Sequence, residues 1–199
     1  MIKIYGSKMS SAMRCIWLLE EMGVPYEIMP LDMQKGEHKS PEYLKLNPNG
    51  KVPTMVDGST VLFESLAINT YLAETHKPEL LGATAAERGE VNQWSLWALM
   101  HLYGDAMHAL VMKKWRNTPE TDHTKQALQD LPKWFGILNT HLTGKDYLVG
   151  GKFTLADINV MSVVNGIGFI EYDISAFPEV QRWHSMLMQR EAMKKMLTK

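Results

Sequence analysis

The sequence predicts an α/β domain followed by an all-α domain, on three observations. Short β-branched or apolar runs alternate with helical patterns through residues 1–76. A stretch with a proline, a glycine and small residues follows, read as a linker over 77–86. From residue 87 to 199 the apolar spacing is helical throughout.

In the first domain, Ile2 to Tyr5 reads as a strand, followed by a loop from Gly6 to Ser11. A helix starts near Ala12, with Ile16, Leu19 and Met22 on its apolar face and Trp17 and Leu18 widening it, and stops at Gly23 before Pro25. Tyr26 to Met29 is a second strand, so the first 30 residues form a βαβ unit with parallel strands. Residues 32–46 hold a polar loop and a short helix opening near Pro41, whose fixed φ suits a first turn. Val52 to Val56 and Thr60 to Phe63 flank Asp57-Gly58, a pair that tolerates φ > 0, and so form an antiparallel hairpin. Glu64-Ser65 precedes Leu66, Ile68 and Leu72, a helical series whose first turn begins at a serine suited to capping. The order β-α-β-α-β-β-α is that of a thioredoxin-like domain.

In the second domain the segment from Ala85 to Lys114 carries Val91, Trp94, Ala98, Leu102, Met107, Leu110 and Val111 at helical spacing, interrupted by Gly104, where a kink or a close helix contact is expected. A second helix runs from near Lys125 to Leu142, and Gly150-Gly151 is a turn. Thr154-Leu155-Ala156-Asp157 has the form of a capping box before a helix apolar almost all round, which places that helix at the centre of its domain. Two further helices, Phe177 to Gln189 and Ala192 to Leu197, close the chain.

The 199 residues carry 21 basic and 22 acidic side chains, a balance that points to neither nucleic acid nor an anionic membrane as partner. No apolar run approaches the roughly 20 residues of a membrane span, and the chain opens on a strand instead of a signal peptide, so a cytoplasmic protein is expected. A single cysteine, Cys15, excludes an internal disulfide and a dithiol redox site. It falls inside the first helix and reads as packing. Tyr5 likewise belongs to its strand and reads as core. His101, Asp105 and His108 have a spacing compatible with a metal site but no further ligand signature, so no metal is expected.

The run Asn47-Pro48-Asn49-Gly50-Lys51-Val52-Pro53, the Asp57-Gly58 hairpin and the Glu64-Ser65 helix start resemble the glutathione-binding half of the cytosolic glutathione transferases. The resemblance is dense over roughly the first 80 residues, and the Thr154-x-x-Asp157 cap extends it into the second domain. It implies a cis bond before Pro53, with Val52 pairing to the cysteinyl backbone of glutathione and Glu64-Ser65 holding the γ-glutamyl end. The opening Ile2-Lys3-Ile4-Tyr5-Gly6, with Ser10 and Arg14 after it, resembles the plant phi class, in which the serine matching Ser10 donates to the glutathione sulfur. Ser11 matches the catalytic position of the cysteine-using bacterial class if the loop is aligned differently. Gly36-Glu37-His38-Lys39 resembles the phi-class loop whose His38-Lys39 pair meets the glycyl carboxylate, and Lys51 stands near the same carboxylate. Read without the resemblance, that loop is a solvated charged turn.

The resemblance also implies a homodimer and a pocket for a small hydrophobic electrophile between the Ser10 loop and the second domain's first helix. Met9, Tyr103, Met107, His108, Met112 and Trp115 are its candidate lining, against the plainer reading of a Met and aromatic core stripe. The leading expectation is conjugation of glutathione to such electrophiles, with reduction of organic hydroperoxides compatible with the same thiolate. Two alternatives stand beside it. A non-enzymatic interaction protein keeps the fold without chemistry, and intact Ser10, Val52-Pro53 and Glu64-Ser65 argue against that. A thiol-disulfide oxidoreductase would need a cysteine where Ser10 or Ser11 stands.

Overall fold

The computed structural model describes residues 1–198. The chain divides into two compact units, residues 1–80 together with the segment from Glu191 onward, and residues 81–190. The closing helix, expected with the second domain, thus belongs to the first.

In the first unit four strands, β1 (Ile2–Tyr5), β2 (Tyr26–Met29), β3 (Thr54–Asp57) and β4 (Thr60–Phe63), form one sheet in the order β2-β1-β3-β4. β1 and β2 are parallel, with Ile4 opposite Ile28, while β3 runs antiparallel to both β1 and β4. Pro53 lacks an N–H for the ladder, so β3 begins at Thr54 and not at the expected Val52. Helices α1 (Met13–Met22), α2 (Pro41–Leu46) and α3 (Ser65–His76) are those expected from the sequence. Gly23 ends α1 in the left-handed conformation, and the Ser40 hydroxyl caps α2 by accepting from the Tyr43 N–H. Ile4, Ile16, Leu19, Met55, Ile68 and Leu72 are fully buried. Each such side chain contributes about 1.5–3 kcal/mol relative to exposure.

The second unit is helical: α4 (Ala85–Trp97), a π-helical stretch (Ala98–Met107), α5 (His108–Arg116), α6 (Asp122–Leu142), α7 (Leu155–Val164), the short α8 (Gly166–Ile170) and α9 (Pro178–Met188). Gly104 lies within this π-helical stretch. The hydrogen-bond ladder widens there, as the bond from the His108 N–H to the Tyr103 carbonyl shows. α6 starts before the expected Lys125 because Thr121 and Thr124 cap it reciprocally. In α7 every residue except Ser162 is buried, as its all-round apolar character predicts. Asp157 anchors this helix. Its Oδ1 accepts from the Leu148 N–H (3.1 Å) and Trp183 Nε1 (3.0 Å), and its Oδ2 from the Thr154 N–H (2.9 Å) and hydroxyl (3.3 Å).

Helix α10 (Glu191–Thr198) packs on α1 within the first unit, burying Met193 and Met196. Its Lys195 ammonium lies 2.7 Å from the Glu20 carboxylate, whose side chain is only 2% exposed. The Tyr26 hydroxyl donates to the same carboxylate at 2.7 Å.

Candidate functional site

The loop after β1 and the loop before β3 meet at Gly6. Its φ is +135°, and a β-carbon there would lie 2.8 Å from Ala12 Cβ, 3.2 Å from Ser10 Oγ and 3.3 Å from Val52 Cβ. Only glycine satisfies both the dihedral and the space. The closeness brings a hydroxyl at the mouth of α1 next to the residue before Pro53, and the Val52–Pro53 bond is cis.

The two serines of this loop are placed differently. Ser10 Oγ accepts from the N–H groups of Ser7 and Ala12, both at 3.2 Å, and donates to the Ser7 carbonyl at 2.7 Å. It therefore ties the first turn of the helix and is polarised by two backbone donors. Ser11 is exposed, and its hydroxyl donates across the loops to the Val52 carbonyl at 3.0 Å.

Gly50 makes the second close approach. With φ +55°, its missing β-carbon would stand 2.8 Å from the His38 carbonyl and 2.8 Å from Lys39 Nζ. The His38-Lys39 turn is thereby seated on the 49–51 segment, with Lys39 Nζ donating to the Asn49 carbonyl at 3.4 Å. The Lys39 and Lys51 side chains are exposed, whereas His38 is half-buried. His38 Nδ1 is shielded from solvent and has no hydrogen-bond partner among the described residues. Tyr43 Oη and Asn47 Nδ2 both donate to the Lys51 carbonyl at 2.7 Å, and Tyr43 Oη also meets Thr54 Oγ1 at 2.8 Å. Four residues missing from the sequence-predicted set, Gly6, Tyr43, Asn47 and Gly50, thus shape the backbone around Val52. The signal for Asn47 and Gly50 was the Asn-Pro-x-Gly run itself.

Glu64 takes φ +68° and ψ +111°, a left-handed conformation costly for a residue with a β-carbon, by about 1–3 kcal/mol. Ser65 is therefore the first helical residue of α3 and not its cap, and Glu64, standing at the cap position, gives no side-chain capping bond. The Ser65 side chain is buried, and its carbonyl accepts from Cys15 Sγ at 3.7 Å. Burial pushes the Cys15 thiol up to about 12, which keeps it protonated and inert, as its helical position suggests. Tyr5 is half-buried with its ring 5.7 Å from that of Tyr43.

Of the candidates for the electrophile pocket, Met9 is 89% exposed in the first unit and Trp115 is 62% exposed in the second. Tyr103 and Met112 are half-buried and His108 is exposed, with the Tyr103 and His108 rings 5.4 Å apart. Met107 is fully buried, its methyl group occupying the space beside Gly166. His101 pairs with Asp105 at 3.1 Å and stacks on Trp134.

A mixed four-stranded sheet in this order, with a cis-proline loop facing a serine-bearing helix mouth, defines a thioredoxin-like protein. The family model of the glutathione S-transferase N-terminal domain matches residues 1–74, and that of the C-terminal domain residues 100–191. Glutathione S-transferase 1 of Zea mays is 36% identical over 203 residues, covering 98% of this chain and 94% of the relative. The structure of a glutathione S-transferase-I bound with lactoylglutathione superposes with a TM-score of 0.88 at 35% identity, over 98% of this chain and 97% of that one. A Pseudomonas fluorescens family member with two glutathione bound gives 0.89 at 28% identity, over 98% and 92%. The chain belongs to the glutathione S-transferase family, with plant phi-class enzymes among its relatives. It is an enzyme, a glutathione transferase.

Proposed function

We propose that the protein conjugates glutathione to small hydrophobic electrophiles, with Ser10 as donor to the glutathione sulfur. The observation that carries this reading is the meeting of Ser10 Oγ and Val52 at Gly6. Val52 pairs with the cysteinyl backbone and thereby holds the sulfur before the helix mouth. The Ser10 proton, directed at the Ser7 carbonyl in the free protein, turns to the sulfur, while the Ser7 and Ala12 N–H groups continue to polarise the oxygen. A free thiol titrates near 8.5, so hydrogen bonding to the thiolate is what raises its population at neutral pH. The thiolate attacks the electrophilic carbon, a carbon–sulfur bond forms, and the leaving group departs or the activated double bond takes a proton from solvent.

His38, Lys39 and Lys51 hold the glycyl carboxylate, with the shielded His38 Nδ1 supporting a ligand on that loop. Glu64 takes the γ-glutamyl ammonium, and the Ser65 hydroxyl with the start of α3 takes its carboxylate. Tyr103, His108, Met112, Trp115 and Met9 are assigned to the second substrate. The same thiolate supports reduction of hydroperoxides, with two glutathione molecules oxidised to the disulfide. A cytoplasmic homodimer completes the proposal, on the strength of the family alone.

The test is an ultraviolet titration of bound glutathione for wild type and Ser10→Ala. The expected outcome is a bound thiol pKa below its free value, restored upward by the substitution with affinity nearly intact. An identical titration in both proteins removes Ser10 from the role.

A further inference from the structure

The backbone at residues 51 and 52 is held from two sides. On one, Tyr43 Oη and Asn47 Nδ2 each donate to the Lys51 carbonyl at 2.7 Å. On the other, the Ser11 hydroxyl donates to the Val52 carbonyl at 3.0 Å, reaching across 41 residues of sequence. Tyr43 and Asn47 are buried and their geometry is set by packing, whereas Ser11 is exposed and has no packing reason to stand where it does. A carbonyl oxygen has two lone pairs, so the one that Ser11 occupies leaves the second for another donor.

We propose that Ser11 is a positioning residue for glutathione: its hydroxyl fixes the plane of the Val52 peptide, so that the free lone pair of the Val52 carbonyl faces the incoming cysteinyl N–H. This rests on the glutathione site proposed above and gives the two adjacent serines separate tasks. Ser10 Oγ is buttressed by backbone donors and serves the sulfur. Ser11 Oγ is committed to a backbone acceptor and serves the tripeptide's main chain. Without the Ser11 bond the Val52 carbonyl is free to swing, and the ordering cost falls on binding instead of on the reaction step.

The experiment compares wild type, Ser11→Ala, Ser11→Thr and Ser10→Ala by calorimetric binding of S-methylglutathione, by kcat and KM for glutathione, and by the pKa of bound glutathione. Loss of one neutral hydrogen bond predicts that Ser11→Ala weakens binding and raises KM by about 3–10-fold. The bound thiol pKa stays at its wild-type value, the effect falls on KM and not on kcat, and Ser11→Thr, which keeps the hydroxyl, restores the affinity. A purely packing role for Ser11 would not give this split with rescue. If Ser11→Ala instead lifts the thiol pKa and lowers kcat as Ser10→Ala does, Ser11 is a sulfur donor and the proposal fails. Wild-type affinity in Ser11→Ala shows the bond to be idle and also overturns it, leaving the glutathione site standing. Absence of S-methylglutathione binding by the wild type removes the site and the positioning role together.

Discussion

Replacing Asp157 by asparagine isolates the strongest polar anchor of the helical unit. Four donors converge on the two oxygens of this fully buried carboxylate: Leu148 N–H and Trp183 Nε1 on Oδ1, Thr154 N–H and hydroxyl on Oδ2. Asparagine offers one acceptor atom and one NH₂ group. If its oxygen takes the Oδ1 place, the NH₂ faces the Thr154 N–H, which is left without an acceptor even after the hydroxyl turns round. In the flipped orientation both the Leu148 N–H and Trp183 Nε1 are orphaned. Each buried orphan costs about 1–3 kcal/mol, so about 3 kcal/mol is expected in total. For a chain of this size that lowers Tm by about 6–12 °C in a calorimetric or circular-dichroism melt. The pH dependence gives a second readout. Burial pushes the Asp157 carboxyl from 3.8 up to about 6, against the downward pull of the four donors. The folded form therefore keeps a proton that the unfolded form has already lost between these values. Stability from this group is full below pH 3.8, declines as pH rises toward about 6 and is level above it. Asp157→Asn should lack that decline. A variant that melts within 2 °C of wild type and keeps the same pH profile would refute the reasoning.

Other substitutions probe the remaining joints. Gly6→Ala puts a β-carbon 2.8 Å from Ala12 Cβ at φ +135°, and should cost about 2–4 kcal/mol in urea unfolding while weakening glutathione binding through displaced Ser10 and Val52; wild-type stability and affinity together would count against the packing described at that loop. Lys195→Met removes the ammonium 2.7 Å from the buried Glu20 carboxylate, to which the Tyr26 hydroxyl also donates, and should destabilise by about 2–3 kcal/mol, with Glu20→Gln in the same chain recovering most of the loss. Equal melting of the single and double variants would show that the pair is not the source. Ser65→Ala should raise the dissociation constant for glutathione several-fold, and an unchanged constant in equilibrium dialysis would release Ser65 from the γ-glutamyl role.

Much of the architecture was legible where local rules suffice. Gly23 after an apolar helical face, Asp57-Gly58 between β-branched runs and Thr154 three residues before Asp157 each encode their element within a few residues. The site was less so, because its geometry depends on approaches between distant segments. Gly6 and Gly50 look like ordinary loop glycines until the fold brings Val52 and the His38-Lys39 turn against them. The register of Ser65 was missed for a related reason: a positive φ at Glu64 is not a preference of glutamate, and only the surrounding structure imposes it. The π-helical stretch also escaped the sequence, since a widened ladder and a kink at Gly104 leave the same apolar spacing.

Helix α10 closes onto α1 with Met193, Met196 and Lys195, yet Lys195 follows Glu20 by 175 positions in the chain (195 − 20). At about 5–20 residues per second, a ribosome that has just made Glu20 needs about 9–35 s more to make its partner. The first unit therefore cannot be completed before residues 191–198 have been made. During that interval the C-terminal half of α1 must wait without Lys195 beside its carboxylate and without the cover of Met193 and Met196, while the helical unit is synthesised in full. An isolated fragment of the first 80 residues is for the same reason an unfinished domain, and truncation after Arg190 removes part of the first unit and none of the second.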